Sequence, residues 1–362
     1  MSSPTLAAVP RKAVCPVCDW RYLVPPGLEG LHCPHCAGGV LDLLEDGSSP
    51  GPESALPELI VPLALGSRDL AQRIEQFAGA IPYPPEDLDP QALLQRLVTL
   101  YLPMWLVDGD VRATWEAETG YNYQVVSHQE RYADGAGWAT REVQETRVRW
   151  EPRVGRLTRH YDNLAAPALE THPQLWQALG GYDLSYATAP DAARMASGLV
   201  RLLDRPPESA WSEAQLAFRE AAAAECRLAA TADHIRAFRW EPEFSQSTWT
   251  LLWLPVLSSV YRDDQGILRP ILINGQNGQV VGVRRASMQR AQRLSLLLAA
   301  IAAGLIAIAA ALTLLGAAVP PLLLAGLALG VGGIALGVGA LVPIYRAWQF
   351  NRRQASVDRP FR

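Results

Sequence analysis

The longest feature of the hydrophobic pattern is the stretch 294–345, which contains no Asp, Glu, Lys, Arg or His. Pro320 and Pro321 divide it into two apolar runs, 294–319 and 322–345. About 20 helical residues cross the hydrocarbon core of a bilayer. Adjacent prolines favour a turn, because proline lacks an amide donor and disfavours helix in the residue before it. The pattern therefore predicts two transmembrane helices joined as a hairpin, which inserts the protein into a lipid bilayer.

Arginines flank the apolar stretch on both sides and predict its orientation. Four lie in a basic juxtamembrane segment, 284–293, and five lie in a basic tail, 346–362. Cytoplasmic flanks of membrane spans carry an excess of Lys and Arg. Residues 1–14 also lack the apolar core of a signal peptide. We expect a multi-pass protein of the cell inner membrane with both termini in the cytoplasm.

Small residues repeat along the second apolar run, at Gly326, Gly330, Gly333 and Gly337. Such a stripe lets two helix backbones approach closely. The approach can occur within the hairpin or between protomers, and the second alternative predicts a homo-oligomer.

Residues 58–283 have the pattern of an α+β domain with an antiparallel sheet. Apolar and polar residues alternate over 111–117 and 121–125, with a predicted turn at 118–120. Asn277-Gly278 predicts a hairpin between later strands, because both residues accept the positive φ of a tight turn. The other predicted elements are a strand near 143–150 after a turn at 134–137, helices at 191–203 and 213–238, and the hairpin strands 271–274 and 279–282.

Two Cys-x-x-Cys motifs lie near the start of the chain, Cys15 with Cys18 and Cys33 with Cys36. Two such turns place four thiolates around one ion, and this spacing predicts a small zinc ribbon at 1–45 with one structural Zn²⁺. Two alternatives are a histidine ligand, His32 or His35, in place of a cysteine, and a thioredoxin-like redox pair. Residues 46–57 consist of turn formers, so we expect a flexible linker that leaves the ribbon mobile.

The charge distribution argues against nucleic acid as a partner. The chain has a formal net charge of −4; its last segment, 284–362, carries nine Arg and one Asp (+8), so residues 1–283 sum to −12. Nucleic-acid-binding domains usually present a basic face. A membrane-tethered ribbon that binds nucleic acid remains an alternative. In the reducing cytoplasm that the topology predicts, the five cysteines are expected to be thiols or metal ligands rather than disulfides.

The sequence contains no motif for nucleotide binding, for a zinc protease or for a serine hydrolase. His160 with Asp162 is a close His–Asp grouping, for which a surface position is favoured over a catalytic dyad. Asp108 and Asp110 flank Gly109, where a β-bulge is favoured over paired catalytic carboxylates. Cys226 is interpreted as a small buried residue. A third alternative is an enzyme or ligand sensor with a pocket between the sheet and the Ala-rich helix.

Further motifs lie between the cysteines and the apolar stretch, at Ile60-Val61-Pro62, Tyr101 to Val111, Leu254-Pro255-Val256 and Ile273 to Gly278. With these motifs, the order of the segments resembles a family of bacterial zinc-ribbon membrane proteins, often labelled as transcription-factor-B-type zinc ribbon proteins. The resemblance covers nearly the whole chain and implies a zinc ribbon, a cytoplasmic domain and a terminal membrane hairpin. Some relatives act as anchors with stomatin/flotillin-like (SPFH) and phage-shock-A-like membrane-stress proteins, which implies cytoplasmic protein partners of that kind.

Together these features predict a non-enzymatic membrane adaptor. The hairpin would hold it in the bilayer, and the zinc ribbon and the α+β domain would recruit protein partners. A four-cysteine site leaves no open metal position for a substrate, and this favours a structural role for the metal.

Overall fold

A mixed sheet of ten strands is the main element of the computed structural model, which describes residues 10–28, 30–44, 56–133, 137–190, 198–315 and 320–354. The strand order is β10-β9-β8-β5-β7-β2-β1-β3, with β4 paired to β8 and β6 to β5. The predicted antiparallel sheet is therefore mixed, because β4–β8 and β5–β7 are parallel pairs. The strands are β1 (Arg11–Val14), β2 (Arg21–Val24), β3 (Asp42–Leu43), β4 (Leu59–Ile60), β5 (Val98–Ala133), β6 (Gly137–Pro167), β7 (Leu199–Arg201), β8 (His234–Arg262), β9 (Leu268–Asn274) and β10 (Val280–Gly282).

Helices cover parts of this sheet and extend from one end of it. Helix α4 is the Ala-rich helix of the sequence analysis. It ends at Ala229, well before the predicted 238, and Phe238 lies in β8. The helices are α1 (Ser67–Gly79), α2 (Pro90–Gln95), α3 (His172–Leu179), α4 (Pro207–Ala229), α5 (Met288–Leu315), α6 (Pro320–Gly339) and α7 (Val342–Gln354).

Strand β5 is continuous over 36 residues, about 120 Å of chain at the rise of a strand. The turn predicted at 118–120 is wrong. Gly120 lies inside the strand, where an added Cβ would be 2.7 Å from Val148 and 3.1 Å from His234. Glycine is required at this position because both neighbouring strands approach closely, and not because the chain reverses.

The first part of β5 is buried on both faces. Leu100, Leu102 and Met104 point into one core cluster, while Tyr101 and Trp105 point into another. Helix α4 covers the second face, and its fully buried residues are Ala210, Ala214, Phe218 and Ala222. The alanines let the helix lie close to the sheet, so this layer is filled by side chains.

The cysteine-rich segment joins the same sheet. Strand β2 pairs with β7 through Tyr22–Arg201 and Leu23–Val200, and β7 pairs with β5. Ser258 donates a buried hydrogen bond of 2.9 Å to the Pro34 carbonyl. The expectation of a ribbon that moves independently is therefore wrong for the described residues. Most of the predicted linker 46–57, namely residues 46–55, lies outside them.

The helix predicted at 191–203 is wrong over 198–203, which contain β7, while 191–197 lie outside the described residues. Leu199 and Val200 are buried between β2 and β5. Their apolar pattern thus belongs to a strand buried on both faces, which periodicity alone does not distinguish from a helix.

Strands β5 and β6 continue beyond the first residue of β8, His234, as a two-stranded arm. The arm is defined as Tyr121–Ala133 and Gly137–Arg149. Strand β8 begins opposite Gly120, and thirteen β5–β6 residue pairs lie beyond that point. The arm is therefore about 40 Å long at the rise of a strand. The turn predicted at 134–137 lies mostly outside the described residues.

The two C-terminal apolar segments form the helices α5 and α6, which are long and apolar enough to cross a membrane. Helix α5 begins inside the basic segment 284–293. A break at 340–341 precedes α7, where Pro343 removes a helical donor, so part of the predicted tail is helical. Asn351 of α7 exchanges hydrogen bonds of 2.8 and 3.0 Å with Ala286. Both ends of the helix pair therefore lie at the sheet.

The glycine stripe of α6 faces α5 in the same chain. An added Cβ would be 2.9 Å from the Ala309 carbonyl at Gly326 and 3.3 Å from the Ala302 carbonyl at Gly333. Ala302 and Ala309 are both buried by this contact. Of the two alternatives for the stripe, the structure has the approach within the hairpin.

Replacing Gly333 with Val should weaken the helix pair, because its Cβ would lie 2.7 Å from Ile306 and push α5 away. Overpacking of this kind costs about 1–3 kcal/mol. Gly332→Val is the matched control, since nothing lies within 4 Å of its added Cβ. Unfolding of the purified chain in mixed detergents, followed by helicity, should occur earlier for Gly333→Val alone. Equal effects of the two changes would contradict this packing.

Candidate metal centre

The four predicted cysteines come together at one point. Their sulfur atoms all lie within 4.8 Å of one another. The Cys15 and Cys36 sulfurs are 3.6 Å apart, and the Cys18 and Cys33 sulfurs are 3.7 Å apart. A tetrahedral ion with metal–sulfur bonds of about 2.3 Å separates its ligands by about 3.8 Å. The donor set and its spacing thus fit one tetrahedral metal ion.

Backbone geometry at both Cys-x-x-Cys turns directs the sulfurs to this point. The amides of Val17 and Gly38 point at the sulfurs of Cys15 and Cys36, over 3.5 and 3.3 Å. Asp19 and Ala37, which follow the turns, have φ values of 57° and 55°. The two turns therefore repeat one conformation, in which amide donors stabilise negative charge on sulfur.

Neither nearby histidine belongs to the ligand set. The His35 ring stacks on the Trp20 ring at 3.9 Å, and His32 forms an isolated bridge with Val40. Burial lowers the pKa of His35. His35 therefore acts as an aromatic packing residue in the described structure, and the candidate set is the four cysteines.

Two residues that sequence reasoning missed surround the sulfurs. The Tyr22 hydroxyl lies 3.2 Å from the Cys33 sulfur, and Tyr22 is fully buried. The Arg201 guanidinium lies 4.7 Å from the centre of the Trp20 ring and pairs with Asp204 at 2.8 Å. Tyr22 could have been found from its place in the strand after the first motif. Arg201 is distant in sequence, and no local signal relates it to the cysteines.

When no metal is bound, hydrogen bonding and burial shift the pKa values of the thiols in opposite directions. The hydrogen bond from Cys18, with that from Tyr22, lowers the pKa of Cys33 to about 4. The same Cys18–Cys33 hydrogen bond and burial raise the pKa of Cys18, and burial raises the pKa of Cys36 to about 11. One thiolate, that of Cys33, is therefore preformed, while binding a metal through all four sulfurs must displace protons from Cys18 and Cys36.

The residues considered for catalysis also come together, on an open surface. His160 lies 2.7 Å from Asp110 through Nδ1 and 3.0 Å from Asp162 through Nε2. The Asp110 hydrogen bond and both carboxylates raise the pKa of His160. Asp108 accepts a hydrogen bond from the Asn163 amide at 2.6 Å. Register shifts at 107–110 confirm the β-bulge.

Two cavities lie beside the cysteine turns. A cavity of about 890 Å³ lies beside the first Cys-x-x-Cys turn, between Trp20, Trp105 and Pro206. One of about 350 Å³ lies beside the second turn, near Arg262 and Arg285. The third alternative placed a pocket between the sheet and the Ala-rich helix, and among the described residues α4 and the sheet form a packed core there. Cys226 is 3% exposed in this core, as predicted.

The chain was compared with protein-family models, with curated proteins and with solved structures, and no match was found in any of the three. The arrangement of the site is therefore interpreted from its own geometry.

Replacing Cys33 with Ser should abolish metal binding and destabilise the sheet, since Cys33 belongs to the core cluster that contains Leu100. Cys226→Ser is the matched control, because both cysteines are buried and Cys226 lies on α4. Metal content after reconstitution with zinc, and equilibrium unfolding, measure the two effects. Full metal content in Cys33→Ser would contradict the assignment of the site.

Metal affinity should fall as the pH falls, because protons compete with the metal for the sulfurs of Cys18 and Cys36. Competition with a colorimetric chelator at several pH values measures the affinity, and calorimetry in two buffers measures the protons released. An affinity independent of pH would contradict a four-thiolate site.

Proposed function

We propose that this protein is a non-enzymatic adaptor of the inner membrane, with both termini in the cytoplasm. In this proposal the helix pair anchors the sheet, a structural zinc ion stabilises the membrane-side part of the sheet, and the arm binds a protein partner. The observation that carries the proposal is that continuous strands connect the base of the apolar helices to a long arm, which pairs with no third strand among the described residues.

Membrane insertion is supported by the surface of the helix pair. Only 11% of the most apolar window of each segment is buried, which would expose a large apolar surface to water. On α7, Tyr345 and Trp348 are exposed and lie next to each other, with Arg352 over the Trp348 ring. Exposed Tyr and Trp side chains are typical of the interface between membrane and water. In this proposal the sheet lies on the cytoplasmic side, which the basic flanks support.

Zinc is supported by the donor set and by the expected compartment. Four cysteine sulfurs with tetrahedral spacing are the usual ligands of structural zinc. All four positions would be filled by protein, so the ion would bind no substrate. Because Tyr22 and Cys33 lie in the core cluster that includes Leu100 and Met104, the ion would stabilise the sheet as well as its own turns.

The arm is the proposed partner-binding element. The part of β5 from Tyr123 to Gln129 contains no Asp, Glu, Lys or Arg. Among the described residues, no strand pairs with the edge of this part that faces away from β6. Such an edge can pair with an extended segment of another protein. At the end of the arm, Tyr132 and Trp138 are 57% and 72% exposed, with ring centres 5.4 Å apart. Aromatic side chains of this kind often supply much of the binding energy in interfaces.

The partner is proposed to be a cytoplasmic protein with an extended segment, and the family resemblance suggests SPFH or phage-shock-A-like proteins. Nucleic acid is not favoured as the partner, since residues 1–283 carry a net charge of −12. This revises the expectation that a mobile ribbon recruits the partner, because the ribbon is part of the sheet.

The double change Tyr132→Ser/Trp138→Ser should remove the partner from the membrane-bound chain. Exposed aromatic side chains contribute affinity without supporting the core, so the variant should fold normally. Val154→Ser is the matched control, since Val154 is 79% exposed on β6 but outside the arm. Quantitative co-purification from native membranes compares the three chains, with zinc content and membrane retention as folding controls. Equal recovery of every protein with all three chains would contradict the role of the arm.

A further inference from the structure

Helix α4 covers one face of the strands β6, β5 and β8, while the opposite face is open to solvent among the described residues. Alternate residues of β5 show this, since Val111 and Ala113 are buried whereas Arg112 and Thr114 are exposed. We define the open face by two rows of exposed residues that run across the three strands. These rows are Thr158, Arg112 and Glu243, and Arg156, Thr114 and Glu241.

Two hollows lie along the open face, with volumes of about 400 and 630 Å³. Both are lined by Thr114, Arg156 and Glu241, so they adjoin each other. Thr114 has a short side chain and lies between the longer Arg112 and Glu116 on the same face of β5. The open face is therefore a shallow trough across three strands, which is suited to the surface of another protein.

The charges on the open face are divided between its two sides. Arg112 and Arg156 lie on β5 and β6, whereas Glu241 and Glu243 lie on β8. The ion pairs of the described residues include none of these four side chains. The face thus carries no net charge from these residues, but one of its sides is positive and the other is negative.

Two copies of the open face complement each other about a twofold axis that is parallel to the strands. This axis places the positive side of one copy against the negative side of the other, whereas an axis across the strands places like charges together. The strands lead away from the helix pair, since Asp264, after the end of β8, accepts a hydrogen bond of 2.9 Å from the Gln289 amide of α5. An axis parallel to the strands therefore places both helix pairs at the same end. Two chains related in this way can insert into one bilayer with the same orientation.

We propose that the open face binds a second copy of this chain, as a twofold dimer with its axis parallel to β5. The choice of axis rests on the proposed membrane anchoring. From Asp110 to Glu118, the face measures about 30 Å by 15 Å over three strands. This is smaller than the area of about 800 Å² per partner that stable interfaces in solution bury. The dimer therefore depends on a shared membrane, which confines both chains and raises their effective concentration.

The test uses the full zinc-loaded chain in liposomes, with copies fused to a donor or an acceptor fluorescent protein. Energy transfer between the copies, measured over a range of protein-to-lipid ratios, gives the dimerisation constant. Arg112→Glu/Arg156→Glu and Glu241→Arg/Glu243→Arg should each lower this constant about tenfold, because like charges then meet across the axis. A mixture of the two variants should restore energy transfer, because a wholly negative face then meets a wholly positive one. This restoration also shows that both variants are folded.

Arg131→Glu/Arg141→Glu is the matched control, since it makes the same change of charge at two exposed positions on the arm. It should leave energy transfer unchanged, and an equal loss would overturn the proposal in favour of general repulsion between charged chains. Energy transfer that neither reversal lowers, or that the mixture does not restore, would also overturn it. Flotation of the liposomes separates the two proposals. A chain that does not float with them overturns the anchoring and the dimer together, whereas a chain that floats without energy transfer overturns the dimer alone.

Discussion

The pairing of β2 with β7 determines how the parts of this molecule work together. Two residue pairs, Tyr22–Arg201 and Leu23–Val200, join the cysteine-rich segment to the sheet, and β7 continues the contact to β5. The pairing places Tyr22 against the Cys33 sulfur and Arg201 against Trp20. The candidate metal centre is therefore part of the main core. Its occupation should affect the stability of the sheet, in contrast to a ribbon that folds by itself.

The long strands separate two ends with different chemistry. At one end, the cysteine turns, the cavity near Arg262 and Arg285 and the base of α5 lie together, and α7 forms hydrogen bonds with Ala286. At the other end, the arm has no described neighbour and carries an exposed Tyr132–Trp138 pair. Strands β5 and β8 connect these ends without interruption of their pairing except at bulges. The proposed adaptor role depends on this continuity, because the two strands link the proposed anchor to the arm.

Sequence patterns correctly predicted the features that are determined by residues close together in the sequence. The four cysteines, the two apolar helices, the bulge at Asp108–Asp110 and the β9–β10 hairpin could all be found from spacing and periodicity. Features that depend on distant residues could not be found. Leu199–Arg201 was predicted as helix because a short apolar run has no period that distinguishes a strand from a helix. Gly120 was predicted as a turn because the side chains of β6 and β8 that crowd it are distant in sequence. The separation of ribbon and sheet was predicted from a turn-rich segment, which carries no information about what the ribbon contacts.

The central claim is that the metal centre and the sheet form one cooperative unit, and hydrogen exchange tests it most directly. Amide exchange would be followed in the full chain with zinc bound and after its removal by a chelator. The account predicts that removal of the metal exposes the amides of β7 and of residues 100–102 in β5 together with those of the cysteine turns, because they share a core cluster and strand pairing. Loss of protection confined to residues 10–44, with β5 and β7 unchanged, would contradict it.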